Sequence, residues 1–248
     1  MRTITLDRPD VRNALNLALL RSLRAALRDA QDRTVRCLVI TGNGKSFSAG
    51  ADIAEWSTSD DGDDGEVPPW MTECHGLIAE LAEFSKPTIA WLNGAAVGAG
   101  LDLALACDFR FAADTAKFQC AYTRMGYSPD AGGTWLLPRL IGLDQAKRFV
   151  YTGEAWSAAE AQARGLITEM HAADRLAEAV RDFAAKLAAG PTVAMAQAKR
   201  LMQTAAARPL RDQLAEELAA GQICAASDDA KEAMAAAVER RAPLFRGC

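Results

Sequence analysis

The chain has 248 residues, of which 50% are hydrophobic and 24% are charged, and its formal net charge is −4. This length and composition are typical of a globular protein with a sizeable core, and the acidic balance argues against a nucleic-acid partner, whose binding proteins carry basic surfaces. Because no run of 18 apolar residues predicts a membrane span, no membrane partner is expected.

Short apolar strands alternate with helices through the first half of the chain. Apolar residues at helical spacing predict the helices, and continuous apolar runs predict the strands. In chain order we predict strand 3–6, helix 16–30, strand 35–41, helix 71–84, strand 88–92, helix 98–107 and strands 108–112 and 117–120. This alternation predicts an α/β core with largely parallel strands.

The segment between Trp56 and Trp70 differs from these elements. It carries four aspartates and two glycines and then Pro68-Pro69, a composition typical of an exposed loop. We interpret it either as a lid over a neighbouring site or as a solvated excursion of the surface.

After Gly142 the sequence becomes almost wholly helical. Ser157 and Glu160 form the pattern of a capping box at a helix start. Three alanine-rich amphipathic helices follow, predicted at 192–206, 210–225 and 227–240. We therefore divide the chain into a core at 1–190 that holds the active site and a helical region at 191–248, whose apolar stripes must pack on the core or on a sister subunit.

The cysteines and histidines exclude several kinds of chemistry. Six cysteines are scattered without a C-x-x-C pair, and there are two histidines, His75 and His171. This pattern favours neither a metal site nor a redox pair. Scattered thiols, together with a charged, strand-like start instead of a leader peptide, predict a cytoplasmic location.

Three common site motifs are not matched by the sequence. Gly44-Lys45-Ser46 resembles the end of a phosphate-binding loop, but position 39 is a valine where that motif needs a glycine. No G-x-G-x-x-G dinucleotide fingerprint is present, and Ser48 does not stand in G-x-S-x-G, so no nucleophile elbow is indicated.

Two segments of small residues remain as candidates. The first, at 46–53, follows a predicted strand, and the second, at 93–102, runs from a strand into a helix. Small side chains leave backbone N–H groups accessible, and two such groups aimed at one point would form an oxyanion hole. The alternative is that these glycines only allow close backbone packing.

Together the two segments resemble a known family. The chain reads S-F-S-A-G-A-D-I, then N-G-x-x-x-G-A-G-x-D-L-A-L-A-C-D, then A-K-F and P-D-A-G-G-T-W-L-L-P-R-L-I-G. This order and spacing are similar to the crotonase, or enoyl-CoA hydratase/isomerase, superfamily. The resemblance covers nearly the whole chain.

The resemblance implies an α/β fold, a spiral of β-β-α units followed by a C-terminal helical trimerisation region. It also implies homotrimers or hexamers, and an acyl-CoA substrate with no cofactor besides the coenzyme A that the substrate carries. It places the oxyanion hole at the amides of Ala51 and Ala99. The substrate-binding positions that it implies are Arg12, Ala49, Asp52, Ile53 and Gly98, with Arg8 as a further candidate for the phosphates; Arg12 is equally interpretable as a solvated arginine.

The sequence departs from the hydratases at their pair of catalytic glutamates. Asp102 stands at the first position on a shorter stem, and Tyr122 stands at the second. A hydratase of this kind holds water between two carboxylates, and a tyrosine cannot replace one of them. Hydration by the paired-glutamate route is therefore doubtful.

Asp130 supplies a carboxylate at another position. The stretch P-D-A-G-G-T-W-L-L-P-R resembles the phenylacetate-pathway isomerases, in which the matching aspartate carries the proton. The 4-chlorobenzoyl-CoA dehalogenases also have an aspartate there, as nucleophile, and a histidine where His75 stands. The alternatives are a helix N-cap for Asp130 and a partly buried helix residue for His75.

Three hypotheses follow from these residues. In the first, an isomerase uses Asp130 to move a proton, with Tyr122 shaping the pocket and Asp102 in a secondary role. In the second, Asp130 attacks an aryl-CoA and His75 activates the hydrolytic water. In the third, the chain binds acyl-CoA only as a scaffold.

Overall fold

The computed structural model describes residues 1–56 and 67–248. The four aspartates of the predicted acidic loop therefore lie outside the described residues, and so does the proposed lid. Within the described part, the strands are β1 (Arg2–Leu6), β2 (Leu38–Gly42), β3 (Ser46–Ser48), β4 (Thr88–Leu92), β5 (Ala95–Val97), β6 (Phe109–Ala113), β7 (Lys117–Gln119), β8 (Ala155–Ser157) and β9 (Glu169–His171).

The helices occupy the intervals between the strands and almost all of the C-terminal third. They are α1 (Leu17–Asp29), α2 (Ile53–Trp56), α3 (Pro69–Ala82), α4 (Ala99–Leu105), α5 (Gly133–Ile141), α6 (Leu143–Thr152), α7 (Ala158–Ala163), α8 (Leu176–Ala188), α9 (Thr192–Ala205), α10 (Leu210–Ala226) and α11 (Asp228–Glu239). Short 3₁₀ helices lie at Pro9–Val11 and Tyr122–Met125.

The strands form two sheets that the chain visits in turn. One sheet has the order β1-β2-β4-β6-β9 and is parallel throughout, and the other has the order β3-β5-β7-β8 with only β8 antiparallel. Each successive pair, from β2-β3 to β6-β7, gives one strand to each sheet before the chain enters its next helix or 3₁₀ turn. This is the predicted β-β-α spiral.

The first sheet is covered by apolar groups on both faces. Every residue of β2 is buried, as expected for a parallel strand between two layers. Leu38 and Ile40 belong to the main core, whereas Val39 contributes to a smaller cluster with Phe111 under α8. Alternate side chains of β2 therefore pack into two different cores. The second sheet and α4 pack on the main core.

Most predicted elements are confirmed, and the differences concern short strands and strand ends. The Ser157–Glu160 capping box forms at the start of α7. The predicted strand at 35–41 begins only at Leu38. We did not predict β3 and β5, because three-residue strands of small side chains show no periodicity, and their pairing depends on contacts between segments about 50 residues apart.

The last residues of the helical region 191–248 contact the core at 1–190. Arg36 donates from Nη1 to the carbonyl of Phe245 at 2.9 Å, and the buried carboxylate of Asp229 accepts the amides of Arg246 and Gly247. Many apolar side chains of this region remain exposed, namely Met202, Leu210, Leu214, Leu218, Ile223, Met234 and Val238. None of the described helices is long and apolar enough to cross a membrane.

A substitution at Gly100 tests how tightly α4 packs on β3. A Cβ at this position would lie 2.6 Å from both Cβ and Oγ of Ser48, and both residues are buried. We expect Gly100→Ala to lower the free energy of unfolding by about 1–3 kcal/mol through overpacking. Urea denaturation measures the change.

Gly221 is the matched control, because it lies inside α10 and nothing stands within 4 Å of its Cβ position. We expect Gly221→Ala to raise stability by about 0.5–1 kcal/mol, the difference in helix propensity. Equal effects of the two substitutions would contradict the close packing of α4 on β3.

Candidate active site

A cavity of about 510 Å³ opens where the ends of β3 and β5 meet the start of α4. Small residues form its inner wall, and aromatic side chains form much of the remainder. Seven residues singled out from the sequence line it, namely Ala49, Ala51, Ile53, Gly98, Ala99, Tyr122 and Asp130. The structure therefore gathers most of the predicted site into one cavity.

The amides of Ala51 and Ala99 are free to bind a ligand. Leu15 accepts from the amide of Asp52 and donates to the carbonyl of Gly50, so the intervening amide of Ala51 faces away from Leu15. Ala99 is the first residue of α4, where an amide has no acceptor inside the helix. Within the described part of the chain, neither amide donates a hydrogen bond.

Gly50 allows these two amides to approach each other. Its φ is +92°, a left-handed conformation that favours glycine, and a Cβ there would lie 2.7 Å from the carbonyl oxygen of Val97 and 3.5 Å from the nitrogen of Ala99. The segment after β3 therefore passes directly against the first turn of α4. Two free N–H groups on crossing segments are the arrangement that an oxyanion hole requires.

Asp102 lies behind the cavity wall rather than in the cavity. Its carboxylate is wholly buried on α4, Oδ2 accepts the hydroxyl of Tyr122 at 2.6 Å, and Oδ1 has no partner among the described residues. The pKa of Asp102 is raised to about 8, mainly by burial and also by the nearby Asp130, although the hydrogen bond from Tyr122 lowers it. Burial also raises the pKa of Tyr122, whose hydroxyl therefore stays protonated.

Among the described residues that line the cavity, Asp130 presents the one carboxylate. It is half-buried just before α5, and burial raises the pKa of its carboxyl above the ordinary value. Its own backbone amide, His75 and the Tyr122 hydroxyl oppose that rise. A carboxylate with a raised pKa in an apolar cavity is suited to take up a proton and release it again.

His75 contacts the main chain of Asp130 rather than its carboxylate. Its Nε2 lies 2.6 Å from the carbonyl oxygen of Asp130, and the imidazole is exposed on α3 outside the cavity lining. Because a carbonyl only accepts, Nε2 carries the hydrogen. The contact places His75 as a support for the loop that carries Asp130, whereas its proposed role as a base would need the other ring nitrogen.

The predicted substrate-binding residues outside the inner wall fall into two groups. Arg12 is exposed at a φ of 54°, and its carbonyl accepts the amide of Ala49 at 2.9 Å, which places it beside the cavity. Arg8 instead donates to the carboxylate of Asp52 at 2.8 Å and thereby lowers the pKa of Asp52. Of the two arginines, Arg12 is therefore the better placed for a phosphate.

The aromatic wall was not predicted from the sequence. Trp56 lies between Tyr127 and Trp70, with ring centroids 5.3 Å and 6.3 Å apart. Trp70 is anchored by a hydrogen bond from Nε1 to the carbonyl of Leu15 at 2.6 Å. The only sequence signal was the pair of tryptophans on either side of the acidic segment, and their meeting depends on the fold.

Comparisons with known proteins show the family that the chain resembles. The family model described as Enoyl-CoA hydratase/isomerase matches residues 1–247. The chain is 39% identical over 247 residues to a probable enoyl-CoA hydratase of Rhodobacter capsulatus, covering 100% of this chain and 95% of the relative. It is 34% identical to the 1,2-epoxyphenylacetyl-CoA isomerase of Escherichia coli, covering 99% of this chain and 94% of the relative.

Solved structures confirm the fold. An enoyl-CoA hydratase from Bacillus anthracis matches with a TM-score of 0.93 and 33% identity, covering 99% of this chain and 95% of that one. The predicted superfamily and spiral fold are thus confirmed. The related names include both a hydratase and an isomerase, so the reaction has to be argued from the site.

The raised pKa of Asp102 predicts that the stability of the fold depends on pH. Between the ordinary pKa of an aspartate, near 4, and the folded value of about 8, the folded chain binds a proton that the unfolded chain does not bind. Stability therefore falls as pH rises, by about 1.4 kcal/mol per pH unit from this group. We expect Asp102→Asn to gain stability relative to the unmodified chain as pH rises through this range.

Urea denaturation at several pH values measures this dependence. Asp174→Asn is the control, because Asp174 is exposed in a turn and the substitution removes a carboxylate outside the buried site. If Asp102→Asn kept the pH dependence of the unmodified chain, Asp102 would have to be ionised in the folded protein.

Proposed function

The chain belongs to the enoyl-CoA hydratase/isomerase family, and from this premise we propose that it isomerises an enoyl-CoA thioester with Asp130 as the proton carrier. The observation that carries this proposal is that the described residues bring two free amides and a single carboxylate together in one apolar cavity. Coenzyme A enters as part of the substrate, and no further cofactor is proposed.

The amides of Ala51 and Ala99 would hold the thioester carbonyl oxygen. Removing a proton from a carbon next to the unsaturated system turns the thioester into an enolate, whose negative charge develops on that oxygen. Hydrogen bonds that strengthen as charge develops lower the barrier, by about 3–4 kcal/mol for one donor in other enzymes. Alanine at both positions is sufficient, because the main chain donates the bonds.

Asp130 would carry the proton from one carbon to another. The carboxylate takes the proton as the first C–H bond breaks, and the electron pair of that bond enters the enolate. The protonated Asp130 then returns the same proton to a different carbon of the enolate, which shifts the double bond and restores the carboxylate. One carboxylate suffices, and no water is consumed.

The geometry is less suited to hydration or to nucleophilic attack. Hydration in this family needs water held between two carboxylates, but Tyr122 replaces one and Asp102 is wholly buried. Attack by Asp130 on an aryl-CoA needs a base for the hydrolytic water, and His75 instead supports the carbonyl of Asp130. A scaffold without activity would leave the two free amides unused.

Asp130→Asn tests the proton carrier. We expect this variant to lose about 10²–10⁴-fold in isomerisation, the usual contribution of a general acid–base residue. Binding should survive, because the amides of Ala51 and Ala99 are untouched. Conversion of trans-3-hexenoyl-CoA to its conjugated isomer measures turnover, and calorimetric titration with the same thioester measures affinity.

His75→Gln is the matched comparison, since glutamine keeps a hydrogen-bond donor for the carbonyl of Asp130 without a titratable ring. It should retain most of the activity. Full turnover by Asp130→Asn would exclude the mechanism. The nucleophilic alternative would be favoured if the unmodified chain released free coenzyme A from benzoyl-CoA and His75→Gln did not. The scaffold would be favoured if no substrate in a panel of enoyl-, phenylacetyl- and benzoyl-CoA were turned over.

We propose further that the chain assembles as a homotrimer or as a hexamer of two trimers. The exposed apolar side chains of α9 to α11 support this, because Leu218 and Val238 are 68% and 83% exposed, and such surfaces usually face a partner.

Light scattering should give the mass of three or six chains, and Leu218→Glu should lower that mass. Val11→Glu is the control on a distant exposed valine, and a monomeric unmodified chain would contradict the assembly.

A cytoplasmic location also remains our proposal. Four cysteines, Cys37, Cys74, Cys107 and Cys120, are buried as free thiols, and burial raises the pKa of each to about 12. Unpaired thiols suit a reducing compartment. Fractionation of the source cells tests this.

A further inference from the structure

The proposed isomerisation leaves one buried acid without a role. Asp102 has no exposed surface, one of its oxygens has no partner among the described residues, and its contact with the cavity is made through the Tyr122 hydroxyl. A buried carboxylate with a single hydrogen bond is expensive to keep ionised, so a residue placed this way needs a physical account.

The surroundings of Asp102 favour its neutral form. The titratable groups that face it are Tyr122, Asp130, Cys74 and Cys120, and none of these is a cation. The unpartnered Oδ1 lies against the backbone of Gly133, where a Cβ would approach it to 2.6 Å. Among the described residues, only the Tyr122 hydroxyl therefore offsets a negative charge at this point.

Tyr122 connects this acid to the cavity. Its hydroxyl lies 2.6 Å from Oδ2 of Asp102, a separation typical of a strong O–H···O bond in either direction of donation. The same residue lines the cavity together with Asp130, and its hydroxyl lowers the pKa of the Asp130 carboxyl. Tyr122, with one hydroxyl hydrogen to donate, thus contacts Asp102 and shares the cavity lining with Asp130.

We infer that Asp102 is a protonated carboxylic acid that tunes the proton carrier Asp130 through Tyr122. The acid donates its hydrogen to Oη of Tyr122, and the Tyr122 hydroxyl hydrogen is thereby released to the Asp130 carboxylate. Both Asp102 and Tyr122 are positioning residues, since neither has to touch the reacting carbons. The inference rests on the proposed function for its effect on turnover, but not for the protonation of Asp102 itself.

Two states of this chain follow from the single hydroxyl hydrogen. While Asp102 is neutral, Tyr122 donates to Asp130 and stabilises its carboxylate. When Asp102 loses its proton, the Tyr122 hydrogen turns to Asp102, and Asp130 loses a donor while it gains a negative neighbour. An enolate would then form beside an additional charge, and Asp130 would return its proton less readily. Turnover should therefore fall at alkaline pH.

Infrared spectroscopy of the ligand-free enzyme tests the protonation directly. The carbonyl stretch of a neutral carboxylic acid is separate from the bands of carboxylates. We expect such a band below the Asp102 pKa of about 8 and its loss above that pH. The band should be absent in Asp102→Asn and retained in Asp130→Asn. In Tyr122→Phe it should shift and persist to higher pH, because a hydrogen bond that favours the ionised form is removed.

The pH profile of trans-3-hexenoyl-CoA isomerisation tests the coupling. Asparagine at 102 mimics the neutral acid, because its amide N–H₂ donates to Tyr122 as the acid would. Asp102→Asn should therefore keep its activity near neutral pH within about tenfold and lose the alkaline fall. Tyr122→Phe should move the acid limb to higher pH, since Asp130 loses a donor. Tyr127→Phe removes a second hydroxyl of the described cavity wall and should shift neither limb.

The outcomes separate the inference from the proposed function. If no isomerisation is found, the infrared titration still decides whether Asp102 is protonated. An infrared band unchanged in Asp102→Asn would overturn the inference. A uniform loss of turnover in Asp102→Asn at every pH, with both limbs in place, would also overturn it, because that result is expected of a merely structural residue or of a catalytic carboxylate.

Discussion

The close approach of the segment after β3 to the first turn of α4 is the constraint on which the site depends. Gly50 and Gly100 face Val97 and Ser48 at distances that no side chain could occupy. This crossing leaves the amides of Ala51 and Ala99 without acceptors among the described residues. Because the donors are backbone groups held by two sheets and a helix, their positions are fixed before substrate binds, as electrostatic stabilisation requires.

The same helix carries the acid that distinguishes this site. Ala99 begins α4 and Asp102 lies one turn later, so the helix that supplies one of the two proposed oxyanion donors also directs a carboxyl group into the core. An aspartate at 102 is short enough to remain inside, and Tyr122 covers it from the cavity side. Relative to the hydratase pattern, a buried acid and a hydroxyl thus stand at the positions of the two catalytic carboxylates, and Asp130 remains as the accessible carboxylate that we propose as the base.

The sequence predicted the parallel core, the helical C-terminal region and the two small-residue segments, because each depends on local pattern. It did not predict β3, β5 or the aromatic wall, whose formation depends on partners far along the chain. The roles of individual side chains also depend on partners far along the chain. Arg8 pairs with Asp52 across 44 positions and His75 reaches Asp130 across 55, and no spacing rule predicts which atom of a distant residue a side chain will meet.

The contact of His75 shows why the chemical class of a residue is a weaker guide than its hydrogen-bond partner. A histidine near an aspartate suggests a base or a charge relay. A carbonyl partner instead fixes the protonated nitrogen and holds the loop, so the ring supports the position of Asp130 without sharing its proton. Asp102 presents the converse case, because a carboxyl group with no accessible surface acts only through the hydroxyl that covers it. In both cases one hydrogen bond decides whether a titratable side chain touches the substrate or adjusts the residue that does.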